Sequence, residues 1–318
     1  MACTSCGKSL PIMKMGGDHP ALNQYLFELE RGRWRQDFNF VCDLSFCECD
    51  IRIQRVDVQK WSAAHLTTKQ LSRRFGSARW KSVSWEFLPL RNSDGQQLDI
   101  YDMYCKYMCA RQGPNAALPF EDWLQAKCSS VIGSISPWVA EALSSFVIGD
   151  GLKVEKDSLV GSGFAVLRCE GQMVAVITLD FFGGQHQELG MAAKVFWLDV
   201  ESKFGKSVVD LILYKIMALA EMLDYSKVLL GGSDPNNERH IYKFLRLRHG
   251  SEFLCEQGWI PIQDCVSFSD DRCEWSSQFS RVGRSPQSAF KGDVCNSVQN
   301  LLHGRMVSDS ALCISSDS

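Results

Sequence analysis

The order of β-rich and helical segments in the second half of the chain constrains its fold more than any other feature. Cys169-Glu170-Gly171-Gln172 separates two β-rich runs, a pattern typical of a tight hairpin. The segments that follow alternate between strand-like and helix-like periodicity, which favours an α/β domain. In chain order they are β-rich runs at 163–168 and 173–180, a strand candidate at 194–199, a long apolar helix at 207–223 and a short strand at 227–231.

This order is similar to that of GNAT acyltransferases, so we predict an α+β protein with a GNAT-like α/β acyltransferase domain behind an N-terminal cysteine-cluster domain. With 45% hydrophobic and 22% charged residues, most of the 318-residue chain is expected to be globular. The last part is rich in Ser, Asp and Gly and is expected to be disordered. The predicted divisions are a cysteine-rich basic domain at 1–90, a helical connecting segment at 91–150, the GNAT-like domain at 151–266 and a tail at 267–318.

A basic segment lies between residues 51 and 85, although the net charge of the chain is −3. Its eight Lys and Arg residues are opposed by Asp57 alone, and Trp61, Phe75, Trp80 and Trp85 are interleaved with them. Cations alternating with aromatic rings suit a polyanion such as RNA, through phosphate pairing and base stacking. The alternative is a solvated charged face over buried aromatic residues.

The N-terminal part also carries cysteines at short spacings. Cys3 and Cys6 form a C-x-x-C pair, and Cys47 and Cys49 form a C-x-C pair. Two such pairs can supply the four soft ligands of a tetrahedral zinc site or of an iron–sulfur cluster. Ordinary buried or reactive thiols are the alternative.

Several enzyme classes lack their motifs. The sequence has no G-x-x-x-x-G-K-[ST] phosphate loop, no G-x-S-x-G nucleophile elbow and no H-E-x-x-H zinc helix. At the start of the long helix, Ser202-Lys203-Phe204-Gly205-Lys206-Ser207 matches only one glycine of the loop that grips the pyrophosphate of coenzyme A. This disfavours a CoA-dependent GNAT acetyltransferase, which remains an alternative.

Several motifs occur in the order found in the arginyl-tRNA–protein transferase family, and the chain resembles a divergent member of that family. Each motif is short, and their shared order covers roughly residues 1–262. The N-terminal cysteine pairs match the family's cysteine cluster. The other motifs are ERGRWR at 30–35, CDIRI at 49–53, QLSRR at 70–74, GQMVAVITLD at 171–180 and GWIP at 258–261.

The resemblance implies transfer of arginine from arginyl-tRNA to the N-terminal α-amine of an acceptor protein or peptide, with aminoacyl-tRNA as co-substrate and tRNA as partner. Under it, Asp180 would receive or orient ammonium groups, the alternative being an aspartate in a strand-end turn. Lys243, Arg246 and Arg248 would meet tRNA phosphate, unless they lie on a solvated helix. Arg52, Arg73 and Arg74 would serve tRNA or an acidic acceptor, and Arg35 would support the cysteine domain or the acceptor N-terminus.

A second alternative is a non-catalytic, metal-bearing relative that binds tRNA or a degron. Residues 1–20 lack the apolar core of a secretory signal, and charged residues interrupt the most apolar helical stretch. We therefore expect a cytoplasmic protein, with the nucleus as a further compartment, and no membrane partner.

Overall fold

The computed structural model describes residues 51–64, 83–91, 96–128, 130, 132–148, 154–155, 157, 159–183, 189–199, 207–234, 244, 247–255, 257–269 and 272–276. It also describes the backbone of three short strands at 12–14, 33–35 and 40–43. Nearly all of these residues belong to one compact unit, Met1–Ser280.

Six helices and thirteen strands are found in this described part of the chain. The helices are α1 (Val58–Ala64), α2 (Gln96–Gln112), α3 (Phe120–Lys127), α4 (Pro137–Ile148), α5 (Ser207–Met222) and α6 (Ile262–Cys265). The strands are β1 (Ile12–Lys14), β2 (Arg33–Arg35), β3 (Phe40–Asp43), β4 (Arg52–Asp57), β5 (Val83–Pro89), β6 (Val160–Cys169), β7 (Gln172–Phe182), β8 (Leu189–Leu198), β9 (Lys227–Ser233), β10 (Ser251–Cys255), β11 (Gly258–Pro261), β12 (Val266–Ser269) and β13 (Arg272–Trp275).

A mixed eight-stranded sheet forms the centre, in the order β11-β10-β4-β9-β8-β7-β6-β5. Among its described pairs, β8 and β9 run parallel and the others run antiparallel. Side chains from α1, α4 and α5 cover one face, and α2 with α3 cover the other. This is a mixed α/β fold with a central sheet, consistent with a GNAT-like acyltransferase-type domain.

The central sheet crosses the domain divisions that we predicted. Strands β4 and β5 come from the predicted N-terminal domain, yet β4 lies between β9 and β10, and β5 pairs with β6 along seven residues. The boundary that we predicted for the tail, at residue 267, also lies too early in the chain. Strands β12 and β13 form a hairpin that extends into the predicted tail, and Trp275 is buried there. Strand pairing between distant segments decides the first point, and packing of Trp275 against Phe244 and Phe253 decides the second. Local composition reveals neither.

The β6–β7 hairpin forms where the sequence predicts it. Cys169 pairs with Gln172, which leaves Glu170 and Gly171 as a two-residue loop. Both loop residues have positive φ, 53° and 79°. This is the type I′ geometry that matches the right-handed twist of the flanking strands.

The side chain of Asp57 sets the start of α1. The carboxylate of Asp57 accepts a hydrogen bond from the Lys60 backbone N–H at 2.9 Å. An aspartate that caps an exposed N–H in this way favours a helix start at the next residue. The strand therefore ends at Asp57 and α1 begins at Val58.

The end of α5 fixes how β8 and β9 meet. Asp224 has φ 55°, and backbone hydrogen bonds run from Tyr225 to Ala220 and from Asp224 to Glu221. These two bonds form a Schellman cap, which turns the chain sharply out of the helix. The turn places Tyr225 against Gly190 of β8, where a Cβ atom would lie 1.9 Å from the tyrosine ring. Only glycine fits at residue 190.

An aromatic cluster joins α2 and α3 to the sheet. Trp123 of α3 is fully buried, and its ring stacks on Phe164 of β6 at 6.4 Å between centroids. The rings of Tyr101 and Trp197 lie 5.3 and 6.1 Å from it. No helix in the described part of the chain has the length and apolar character needed to cross a membrane.

We predict that Trp123→Ala lowers the free energy of unfolding by about 3–5 kcal/mol, because it leaves a cavity between two helices and the sheet. The matched control is Trp138→Ala, since Trp138 of α4 is 69% exposed. The control should change stability by less than about 0.5 kcal/mol. Urea unfolding followed by circular dichroism measures both, and equal losses would contradict the assigned core.

Candidate functional site

The central sheet opens between its two parallel strands. Strands β8 and β9 pair only at Leu189 with Lys227, Met191 with Val228, and Ala192 with Leu229. Beyond Ala192, β8 continues along β7 as far as Leu198, while β9 continues along β4 as far as Ser233. The two halves of the sheet therefore separate at the carboxyl ends of β8 and β9. Crevices at the carboxyl ends of parallel strands are the usual ligand sites of open α/β sheets.

An irregularity in β9 accompanies the separation. The β4–β9 register shifts between Ile53 and Arg55, opposite the residues that follow Leu229. Gly231 lies there with φ 75°, a conformation that side-chain-bearing residues rarely adopt. The shift changes the course of β9 directly after its last pair with β8.

Buried polar groups hold β9 to β4 and β10 beside this opening. Ser233 Oγ donates to Gln54 Oε1 at 2.7 Å, and Gln54 Nε2 donates to Ser251 Oγ at 2.9 Å. Ser251 Oγ in turn donates to the Leu247 carbonyl at 2.6 Å. Because these side chains are bonded to one another, we interpret the chain as structural support for the opening.

Asp180 is a buried carboxylate close to the point of separation. It lies inside β7 with no exposed surface, paired with Ser162 of β6 on one side and Ala192 of β8 on the other. Ala192 is also the last residue of β8 that pairs with β9. Neighbouring strands are about 4.8 Å apart, so Asp180 lies one strand away from the opening.

Two serines connect Asp180 to the edge of the sheet. Ser162 Oγ hydrogen-bonds to Asp180 Oδ1 and lies 2.7 Å from Ser130 Oγ. An ionised carboxylate only accepts, and a hydroxyl has one proton to donate. Ser162 therefore donates to Asp180, and Ser130 donates to Ser162.

A cavity of about 380 Å³ lies at the Ser130 end of this chain of hydroxyls. It forms where β5 ends and the segment around Ser134 pairs with Ser162 in its place. Leu90, Cys128 and Ile135 give it apolar walls, and Arg91, Ser130 and Ser134 give it polar ones. A ligand in the cavity can thus reach Asp180 through Ser130 and Ser162.

Close packing brings β6 to this cavity. Gly161 has φ 132°, and a Cβ atom at Gly163 would lie 2.6 Å from Ile135 Cδ1 and 2.9 Å from the Leu88 carbonyl oxygen. The Gly161-Ser162-Gly163 sequence therefore lets Ser162 approach the 133–135 segment. Ser162 and Ser130 were missed by sequence reasoning, and a serine between two glycines inside a β-rich run was the signal for Ser162.

Cys128 in the cavity wall is a buried thiol. Burial raises its pKa to about 12, and the nearby positive charge of Arg91 opposes part of that rise. Such a thiol is almost entirely protonated near neutral pH, so Cys128 is an apolar wall residue and not a nucleophile.

Most of the residues singled out from the sequence lie outside the described residues. Asp180 is central to the site, and its position inside β7 excludes the strand-end turn. Arg52 is 5% exposed, and its guanidinium lies 5.3 Å from the Trp275 ring centroid, so it is enclosed by the fold. The backbone of Arg35 pairs with Val41, and its side chain is not described. The predicted site residues that lie outside the described part of the chain are Cys3, Cys6, Cys47, Cys49, Arg73, Arg74, Lys243 and Arg246.

The aromatic residues of the basic segment also prove structural where they are described. Trp61 and Trp85 belong to the core between the sheet and α5. Of the side chains that the structure places, no three His, Cys, Asp or Glu residues come close enough to hold a metal ion. The predicted cysteine cluster falls outside this part of the chain, so it stays a prediction.

No family model matches the chain, and no curated protein matches it. Among solved structures, one match is the C-terminal domain of a putative lysylphosphatidylglycerol synthetase from Agrobacterium fabrum, at 11% identity and a TM-score of 0.33 over 65% of this chain and 50% of that one. Another is L-PGS from Bacillus licheniformis, at 12% identity and a TM-score of 0.37 over 71% and 54%. The chain thus spans about half the length of these proteins.

The comparisons correct the family that we inferred from the sequence. The resemblance to arginyl-tRNA–protein transferases is wrong, because no family model, that family's included, matches the chain. Short motifs such as GWIP or QLSRR recur by chance, and their shared order was too weak a signal. At the level of the fold, a mixed α/β protein with a central sheet remains.

We predict that Cys128 resists alkylation by iodoacetamide in the native protein, whereas the exposed Cys109 of α2 reacts readily. With a pKa of about 12, only about one Cys128 thiol in ten thousand is ionised at pH 8. Peptide mass spectrometry after timed labelling measures both sites, with urea-unfolded protein as the control. Labelling of native Cys128 as fast as in urea would show that the thiol is not buried.

Proposed function

We propose that the protein is an acyl-group transferase that takes an aminoacyl group from aminoacyl-tRNA. The observation that carries the proposal is the position of Asp180, one strand from the opening between β8 and β9 and two hydroxyls from a cavity. A buried carboxylate in the middle of a sheet is costly unless it is bonded, and such groups are concentrated at functional sites.

The reaction asks little of the protein beyond positioning. The aminoacyl ester of tRNA is already activated, and holding an acceptor within about 3.5 Å of its carbonyl carbon supplies much of the rate. In this proposal the donor ester and the acceptor amine meet in the cavity, next to Ser130.

The serine chain would carry the acceptor's proton. As an acceptor amine attacks the ester carbonyl, its proton passes to Ser130, Ser130 gives its own proton to Ser162, and Ser162 gives its proton to Asp180. The bond between the carbonyl carbon and the tRNA ribose oxygen breaks, and that oxygen takes a proton from solvent. Asp180 afterwards releases its proton to solvent. Asp180 thus acts through the serines as a positioning and proton-accepting residue.

The tRNA donor is supported by the basic segment, which the structure describes in part. Arg52 is enclosed, and Arg55 Nε lies 2.6 Å from Glu252 Oε2 with the side chain 11% exposed. Lys60 is 64% exposed and available to solvent. The other cations of the segment, Lys69, Arg73, Arg74, Arg79 and Lys81, lie outside the described residues. Arginine transfer to protein N-termini is not proposed, because it rested on the incorrect family resemblance.

The direct test is a donor panel. Purified protein is incubated with separately labelled aminoacyl-tRNAs and cell extract as acceptor, and label is counted in the protein precipitate and in the lipid extract. We expect one or a few tRNAs to give label in one of these fractions, and ribonuclease treatment of the donor to abolish it. Labelled acetyl-CoA runs in parallel. Label from acetyl-CoA alone would assign a CoA-dependent transferase, and no label from any donor would overturn the proposal.

We predict that Asp180→Asn lowers kcat by at least about 100-fold, because the amide cannot accept the relayed proton. KM should change little. Asp102→Asn is the control, since Asp102 is a surface carboxylate of α2, 62% exposed and paired with Lys106 at 2.7 Å. Steady-state kcat and KM are measured for each variant, together with its thermal transition. A lower thermal stability in Asp180→Asn with kcat unchanged would show a structural role only.

A further inference from the structure

A second cavity lies away from the serine chain, near strands β4 and β10. It has a volume of about 500 Å³ and opens between α1, the turn that ends at Gly250, and the α6–β12 segment. Lys60, Arg248 and His249 form its polar side, and Ile262 with Phe268 form its apolar side. None of these residues belongs to the site around Asp180.

Close packing at Gly250 brings the two cations to one cavity. Gly250 has φ 94°, and a Cβ atom there would lie 2.7 Å from the Asp57 carbonyl oxygen and 3.1 Å from the Trp61 backbone nitrogen. The Asp57 N–H also donates to the Gly250 carbonyl at 2.8 Å. The turn that carries Arg248 is therefore held against the start of α1, which carries Lys60.

The charges around the cavity leave a positive excess. Two carboxylates lie beneath it, and each has a closer cation than Lys60: Asp57 Oδ2 is 2.7 Å from Lys227 Nζ, and Glu252 Oε2 is 2.6 Å from Arg55 Nε. Lys60 Nζ is 3.9 Å from both Asp57 Oδ2 and Glu252 Oε1.

Direct ion pairs at 2.6–2.7 Å outweigh contacts at 3.9 Å, so Lys227 and Arg55 neutralise the two carboxylates. The charge of Lys60 is therefore not neutralised by these carboxylates, and Arg248 adds a second positive charge to the cavity lining. Arg248 Nε donates to His249 Nε2 at 3.3 Å, which helps to hold the guanidinium at the cavity.

We propose that this cavity binds the phosphate group of a phosphorylated ligand of about nucleotide size. A guanidinium offers paired donors that match phosphate oxygens, and an ammonium adds a point charge. The volume exceeds that needed for phosphate alone, and the walls of Ile262 and Phe268 suit an uncharged ring next to it. The phosphate can come from inorganic pyrophosphate or from a nucleotide, and the experiment separates the two.

The test is isothermal titration of the full chain with inorganic pyrophosphate and, separately, with AMP. We expect a dissociation constant tighter than about 1 mM for at least one probe. Arg248→Gln should weaken it about tenfold or more, because a charge-assisted hydrogen bond is lost. Lys60→Gln should weaken it by a smaller factor, since an ammonium adds a point charge without the paired donors of a guanidinium. Added salt should weaken binding in the unmutated protein.

The matched control is Lys106→Gln, which removes a surface ammonium of α2 that is 67% exposed. Binding of AMP but not pyrophosphate would assign the ligand as a nucleotide, and binding of pyrophosphate with equal or greater strength would assign the phosphate as the part recognised. Absence of binding for both probes overturns the proposal, as does an equal loss in Lys106→Gln and Arg248→Gln. Transfer activity is not measured, so the result is independent of the function proposed for Asp180.

Discussion

The short parallel contact between β8 and β9 is the constraint on which the rest of the structure depends. Three residue pairs join the strands, and the fit of Tyr225 against Gly190 determines where that contact lies. If β8 and β9 paired along their whole length, the sheet would be continuous and Asp180 would lie in a closed interior. Because pairing stops at Ala192, the carboxylate lies beside an opening.

Polar groups near the opening serve two different purposes. The Ser233–Gln54–Ser251 chain is bonded at each step and ties β9 to its neighbours, so it maintains the separated half of the sheet. The Ser130–Ser162–Asp180 chain instead ends at a cavity. Buried polar chains stabilise a unique structure when they are satisfied, and a chain that reaches a cavity can also pass a proton.

The basic segment shows how tertiary contacts change what a charge does. In the sequence, Arg52 and Arg55 are indistinguishable from Lys60, and all three suit a polyanion. In the structure, Arg52 is buried over the Trp275 ring and Arg55 is paired with Glu252. Both arginines therefore make their contacts within the fold. Only the lysine faces solvent, because α1 begins immediately after Asp57 and carries it outward.

The sequence by itself determined the local elements: the hairpin at Glu170-Gly171, the apolar α5, and a carboxylate at Asp180 in a run of apolar strand residues. Such features follow from turn chemistry and periodicity within a few residues. The tertiary structure alone decided that β4 and β5 join the central sheet. It also decided that Ser162 meets Asp180, 18 residues away, and Ser130, 32 residues away, to form one hydrogen-bonded chain. Contacts at such separations depend on strand pairing and helix packing across the whole domain, which no local pattern encodes.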